Sequence, residues 1–167
     1  TGNIGGDGVL SSDSDDTTVT GNTISNTKTT GSDVGSGVHI LNGDRANVSD
    51  NTISNAGWDG VKLTASNNSK VGSNDITNVS RDGVYTKWAP QVDILGNSIV
   101  GAGRYGVEVQ NSTGVGNMTI DGNTIDTIGL DGIRVESSDD VVITDNTIGY
   151  GADGLFGTAD DTTIGRD

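Results

Sequence analysis

Two short motifs return along this chain at one spacing, and that spacing limits the folds open to it. A glycine followed by Val or Ile occurs at Gly8, Gly37, Gly60, Gly83, Gly106 and Gly132, in steps of 29, 23, 23, 23 and 26. The motif Asn-x-Ile occurs at Asn22, Asn51, Asn74, Asn97, Asn123 and Asn146, in steps of 29, 23, 23, 26 and 23. Two independent markers therefore share a period of about 23 residues, and the extra residues fall between them, where loops would be. Each marker lies in a strand-like pattern. In "GVHI", "GVKL", "GVEV" and "GIRV" apolar and polar residues alternate, so Val61 and Leu63 face one way and Lys62 the other. The second pattern reads "VSDNTI", "VGSNDI", "ILGNSI", "IDGNTI" and "ITDNTI". Gly, Asn, Asp and Ser separate the two as turn residues. No apolar stripe of helical period is present.

Short strands, no helix and a period near 23 predict an all-β chain wound as a right-handed parallel β-helix, a solenoid of about seven coils. Residues 1–167 are expected to form a single β-helix domain, a segment of a longer solenoid or a unit that stacks head to tail, with 149–167 as an acidic, Gly-rich last coil. Small β-branched residues would stack like on like inside. This suits a chain with 27 Gly and only 4% aromatic residues, which cannot build a core of large side chains. The column Asn22, Asn51, Asn74, Asn97, Asn123 and Asn146 is expected to form a structural ladder at a bend, each amide bonding its neighbours above and below.

The formal net charge is −14. That argues against nucleic acid, whose phosphates require Lys and Arg, and against anionic membrane surfaces. With no apolar run of about 18 residues, no membrane insertion is expected. The absence of cysteine excludes disulfides and thiolate metal sites. An extracellular or cell-surface, secreted protein fits this balance.

The repeat resembles those of the pectate-lyase-like superfamily of parallel β-helices. Its texture is most similar to the β-helix modules of mannuronan C5-epimerases, along nearly the whole chain. The resemblance implies that any chemistry sits on the outward face of one long sheet. That face is expected to present the residue before each marker glycine (Asp7, Ser36, Asp59, Asp82, Tyr105, Asp131) and the residue two after it (Leu10, His39, Lys62, Tyr85, Glu108, Arg134). Enzymes acting on acidic sugars need a cation for the uronate carboxylate and groups that take and give protons. His39, Asp59, Lys62, Asp82 and Tyr85 are the catalytic candidates: Lys62 or Arg134 to neutralise, His39 or Tyr85 to exchange protons. Tyr105, Glu108 and Arg134 are the sugar-binding candidates, and Trp58 and Trp88 could stack on sugar rings or cover turns. Against these, and more readily, Lys62, Glu108 and Arg134 read as a solvated ladder of alternating charge, and Asp before Gly as an ordinary turn. The segment that carries epimerase chemistry in the family has no match, since the only histidine lies in "GVHI".

Acidic loops give a further set of candidates. Asp153, Asp160 and Asp161 in "DGLFGTADDTTIGRD", and Asp13, Asp15 and Asp16 in "SSDSDDTT", carry carboxylates on turning backbone of the kind that holds Ca2+. No other cofactor is implied. The two ends carry no cap, and "TTIGRD" followed by "TGNI" reads as a continued repeat, so self-association through the ends is expected. The leading expectation is an extracellular structural module of an adhesin, surface layer or filament, polymerising end to end. The alternative is a carbohydrate-active enzyme, an epimerase or lyase of acidic polysaccharide, or a calcium-dependent polysaccharide-binding module.

Overall fold

The computed structural model describes residues 6–27, 35–114, 116–149 and the backbone of 163–164. All its regular elements are strands. They form three parallel sheets of seven, six and six strands, and each sheet takes one strand from every coil. The number of coils is thus within one of that expected.

The first sheet runs Val9–Ser12, Val38–Leu41, Val61–Thr64, Val84–Lys87, Val107–Gln110, Asp131–Glu136 and Thr163–Ile164. Through its first six strands the register is strict: His39 pairs with Lys62, Lys62 with Tyr85, Tyr85 with Glu108, and Glu108 with Arg134. The inward residues of the same strands stack as Val38, Val61, Val84, Val107 and Ile133, all buried. In the third sheet, Ile24, Ile53, Ile76, Ile99 and Ile125 form the matching column. β-branched residues suit these sites because their stiff side chains tile a pleated surface at the strand spacing.

The two sequence markers keep one period because they touch. A Cβ placed on Gly60 would lie 2.5 Å from Ile76 Cγ2 and 2.5 Å from the Gly83 carbonyl oxygen. On Gly83 it would lie 2.4 Å from Ile99 Cγ2 and 2.6 Å from the Gly106 oxygen. The isoleucine of each Asn-x-Ile thus fills the space that a side chain on the marker glycine would need. Gly83→Ala is therefore expected to cost about 3 kcal/mol by overpacking against rigid backbone. Gly6→Ala, whose Cβ would meet nothing within 4 Å, should cost almost nothing. Thermal denaturation of the two variants measures the difference, and equal midpoints would refute this account of the glycine column.

The asparagines form a continuous ladder at the bend into the third sheet. Asn51 Nδ2 donates to Asn74 Oδ1, Asn74 Nδ2 to Asn97 Oδ1, and Asn97 Nδ2 to Asn123 Oδ1, at 2.9–3.0 Å. Each amide also donates to the carbonyl of an adjoining coil, as Asn97 does to Val71.

A candidate saccharide groove on the outer face of the first sheet

The aspartates before the marker glycines splice one coil to the next. The Ser36 N–H donates to Asp7 Oδ1 at 2.7 Å, the Asp82 N–H to Asp59 Oδ1 at 3.3 Å, and the Tyr105 N–H to Asp82 Oδ1 at 3.1 Å. Asp59 and Asp82 are fully buried, so they do not stand on an open face as the alternation alone implied. Glu108 is fully buried too, which corrects the expectation of a solvated charge ladder.

Three arginines roof these carboxylates. Arg81 lies 3.3 Å from Asp82, 3.9 Å from Glu108 and 4.0 Å from Asp59. Arg104 reaches Glu108 at 3.4 Å, and Arg134 reaches Glu136 at 3.0 Å and Glu108 at 4.0 Å. The guanidinium of Arg81 stacks on Trp58, 4.5 Å from the ring centre. Arg104 and Arg134 flank Tyr105, whose hydroxyl accepts a hydrogen bond from Arg134. Tyr105 is accordingly buried. Arg81 and Arg104 were not singled out in the sequence. They occupy the position two before the marker glycine, whose backbone also stacks coil on coil: the Arg81 N–H donates to Trp58 O, and that of Arg104 to Arg81 O. The same repeat alignment, shifted by one residue, would have shown them.

Burial, and next the charge of Asp82, push the Asp59 carboxyl up to about 7 against the pull of Arg81. Burial, followed by Asp82, likewise pushes Glu108 up to about 7, opposed by Arg104 and Arg134. Taking such groups from water costs more than the nearby guanidinium groups return. Because these two carboxyls keep their protons to higher pH in the fold than their ordinary 3.8 and 4.5, their contribution to stability is complete at acid pH. It is lost as pH rises from about 4 through about 7. The midpoint of thermal unfolding should therefore fall between pH 4 and pH 8, and Asp59→Asn should flatten that fall. A midpoint that climbs over the same range would contradict this.

Toward the Val9–Ser12 end of the same face lies an open groove of about 510 Å³. Its walls include His39, Trp58, Lys62, Arg81, Tyr85 and Lys87. The register sets His39, Lys62 and Tyr85 side by side on three successive strands, about 4.8 Å apart. His39 Nδ1 lies 3.3 Å from Asp7 Oδ2, and its Nε2 is buried with no hydrogen-bond partner. Burial alone would raise Asp7, but the hydrogen bonds from His39 and from the Ser36 N–H outweigh it and hold the carboxyl below its ordinary value. The Tyr85 hydroxyl donates to Gln110 Oε1 at 3.0 Å, and burial, with Glu108 next, raises its pKa. Among the described residues neither Lys62 nor Lys87 makes an ion pair. Of the chain's 9 Lys and Arg residues, five (Lys62, Arg81, Lys87, Arg104 and Arg134) gather on this one face of a molecule of net charge −14.

The structure thus brings His39, Lys62 and Tyr85 together, sets Asp59 and Asp82 behind Arg81, and puts Tyr105, Glu108 and Arg134 together beside them. Asp153, Asp160 and Asp161, and the chain ends on which end-to-end stacking rests, lie outside the described residues. Asp15 and Asp16 pair with Arg45 at 3.3 and 2.7 Å, and Asp13 accepts from Asn42. No group of three or more acidic, His or Cys side chains that could hold a metal occurs among the described residues.

A family model described as a right-handed beta helix region matches residues 2–148. No curated protein matches the sequence. Among solved structures, the chain is similar to the periplasmic alginate epimerase AlgG, with a TM-score of 0.74 at 20% identity, covering 84% of this chain and 36% of that one. The D317A mutant of that epimerase gives the same values. The T265N mutant gives 0.56 at 19% identity, over 82% of this chain and 36% of the other. The chain thus spans about a third of the length of the epimerase chains it matches.

Proposed function

Because the chain belongs to the right-handed β-helix family, whose model covers residues 2–148, we propose that it is a carbohydrate-active β-helix that holds an acidic polysaccharide in this groove. The observation that carries the reading is the pair of unpaired cations, Lys62 and Lys87, lining an open groove beside Arg81 on an otherwise strongly acidic molecule. Such a surface repels most polyanions at long range, so a uronate chain has to be met by these few cations at close quarters. The alginate epimerase that shares the fold supports this reading over a purely structural module.

The reaction that fits is removal of the C5 proton of a uronate, ending in epimerisation or in lyase cleavage. Lys62 neutralises the sugar carboxylate, which makes the adjacent C–H more acidic. His39 takes the proton at Nε2, with Asp7 on Nδ1 fixing the ring. The Nε2 nitrogen is buried without a partner in the empty protein, at a cost that is removed once a ligand displaces its cover and reaches it. Tyr85, two coils on from His39 and next to Lys62, supplies a proton from its hydroxyl. A periplasmic or extracellular location follows for a protein that meets such polymers. Calorimetry with oligomers of mannuronate, guluronate and galacturonate tests the binding, and product analysis on alginate and polygalacturonate tests the reaction. A protein that neither binds nor converts any of them would end this reading.

A further inference from the structure

At the end of each of the first six strands of the first sheet the backbone turns through one residue of positive φ. The column is Asp13, Asn42, Ala65, Trp88, Asn111 and Ser137, with φ between 49° and 53°. Asp and Asn enter this left-handed region readily, and Ala and Ser are at least small. Trp88 is the exception, a bulky side chain at φ 52° with 55% of its surface exposed. Its N–H donates to Gln110 O at 3.1 Å, as those of Asp13, Asn42, Ala65 and Asn111 donate to their own neighbouring coils, so the turn does not require the indole. Neither core packing nor backbone geometry explains it. Lys87 lines the groove and brings its Nζ to 4.5 Å from the centre of the Trp88 ring. Trp58 likewise carries a cation at 4.5 Å, the guanidinium of Arg81, but that cation is also held by Asp82 at 3.3 Å.

We propose that Lys87 and Trp88 form a uronate-recognition subsite at the rim of the groove, distinct from the His39–Lys62–Tyr85 column. The inference rests on the acidic-polysaccharide reading above and adds the contacts that select the sugar. The indole offers a flat apolar surface to the C–H face of a pyranose ring, and the ammonium, swinging out from over the indole, pairs with the carboxylate of the same ring. Trp88 supplies affinity for sugar rings in general. Lys87 supplies the preference for acidic ones.

Trp88→Asn restores the residue type that suits the turn, which separates binding from folding. Its thermal midpoint should equal or exceed that of the parent, while its affinity for an oligomannuronate or oligogalacturonate falls about three- to tenfold, the weight of one aromatic contact. Lys87→Met should weaken the oligouronates and lower the salt dependence of their binding, of which Lys62 keeps the rest, yet leave a neutral mannan oligomer unaffected. Unchanged oligouronate affinity in Trp88→Asn would overturn the subsite while leaving the groove intact. A midpoint several degrees lower would assign Trp88 to covering the turn and overturn it as well. A parent protein that binds none of these oligomers would remove subsite and groove together.

Discussion

Asn97→Ala is expected to destabilise the protein by roughly 4 kcal/mol. The side chain of Asn97 makes four hydrogen bonds. Its Oδ1 accepts from the Asn74 N–H and from Asn74 Nδ2, and its Nδ2 donates to Val71 O and Asn123 Oδ1. Asn97 is 1% exposed, so water cannot replace them. Truncation strands the backbone N–H of Asn74, at about 1–3 kcal/mol, and removes the three further bonds to Asn74 Nδ2, Val71 O and Asn123 Oδ1, each at about 0.5–1.5 kcal/mol. Asn22 ends the same ladder and is exposed. Its side chain donates to Thr20 O and Asn51 Oδ1, and no described N–H depends on it. Asn22→Ala should therefore cost less than about 1 kcal/mol. Thermal or urea denaturation of both variants reads the contrast. Similar losses at the two positions would mean that the ladder is decoration on a fold held by its isoleucines.

That ladder was readable in the sequence because a solenoid gives the same environment to the same residue in every coil. Asn-x-Ile and Gly-Val could be aligned, and their periods agreed, because Ile76 sits on Gly60 and Ile99 on Gly83. The register of the outward column followed from the alternation, so His39, Lys62 and Tyr85 could be set side by side from letters alone. What the alternation could not show is depth. It says that Asp59, Asp82 and Glu108 leave the core, but not that Arg81, Arg104 and Arg134 fold back over them. Side chains as long as arginine cover neighbours one or two coils away, and a strand period carries no information about where such a chain lies. The same limit hid the role of the aspartate before glycine, whose partner is a backbone N–H in another coil, 23 or 29 residues on.

The roof divides this face into two parts with different chemistry. Around Asp59, Asp82 and Glu108 the arginines are spent on buried carboxylates, and a substrate would have to break those pairs to use them. Toward the Val9–Ser12 end the carboxylates thin out to Asp7, which is occupied by His39 and Ser36. Lys62 and Lys87 are left facing the groove. A polyanion therefore gains most at the groove end, which is where the one histidine stands.

If the groove converts uronates, His39→Ala should lower kcat by about 10²- to 10⁴-fold, the usual weight of a positioned proton-transfer group. KM should change little, because the ring contributes less to binding the carboxylate than Lys62 does. Lys62→Met should lower kcat/KM through both constants, since the cation both holds the carboxylate and stabilises the charge that develops when the proton leaves. Asp7→Asn should fall between them. It keeps an oxygen for the Ser36 N–H at Oδ1, but it puts a neutral amide where a carboxylate now holds Nδ1. Initial rates on alginate and polygalacturonate, with thermal midpoints to confirm the fold of each variant, would measure all three. Should His39→Ala keep the parent's rate within a few-fold while Tyr85→Phe abolishes it, the base is Tyr85 and the Asp7–His39 pair belongs to the wall of the groove. Should both keep it, the chemistry lies off this column, and Lys62 and Lys87 only bind.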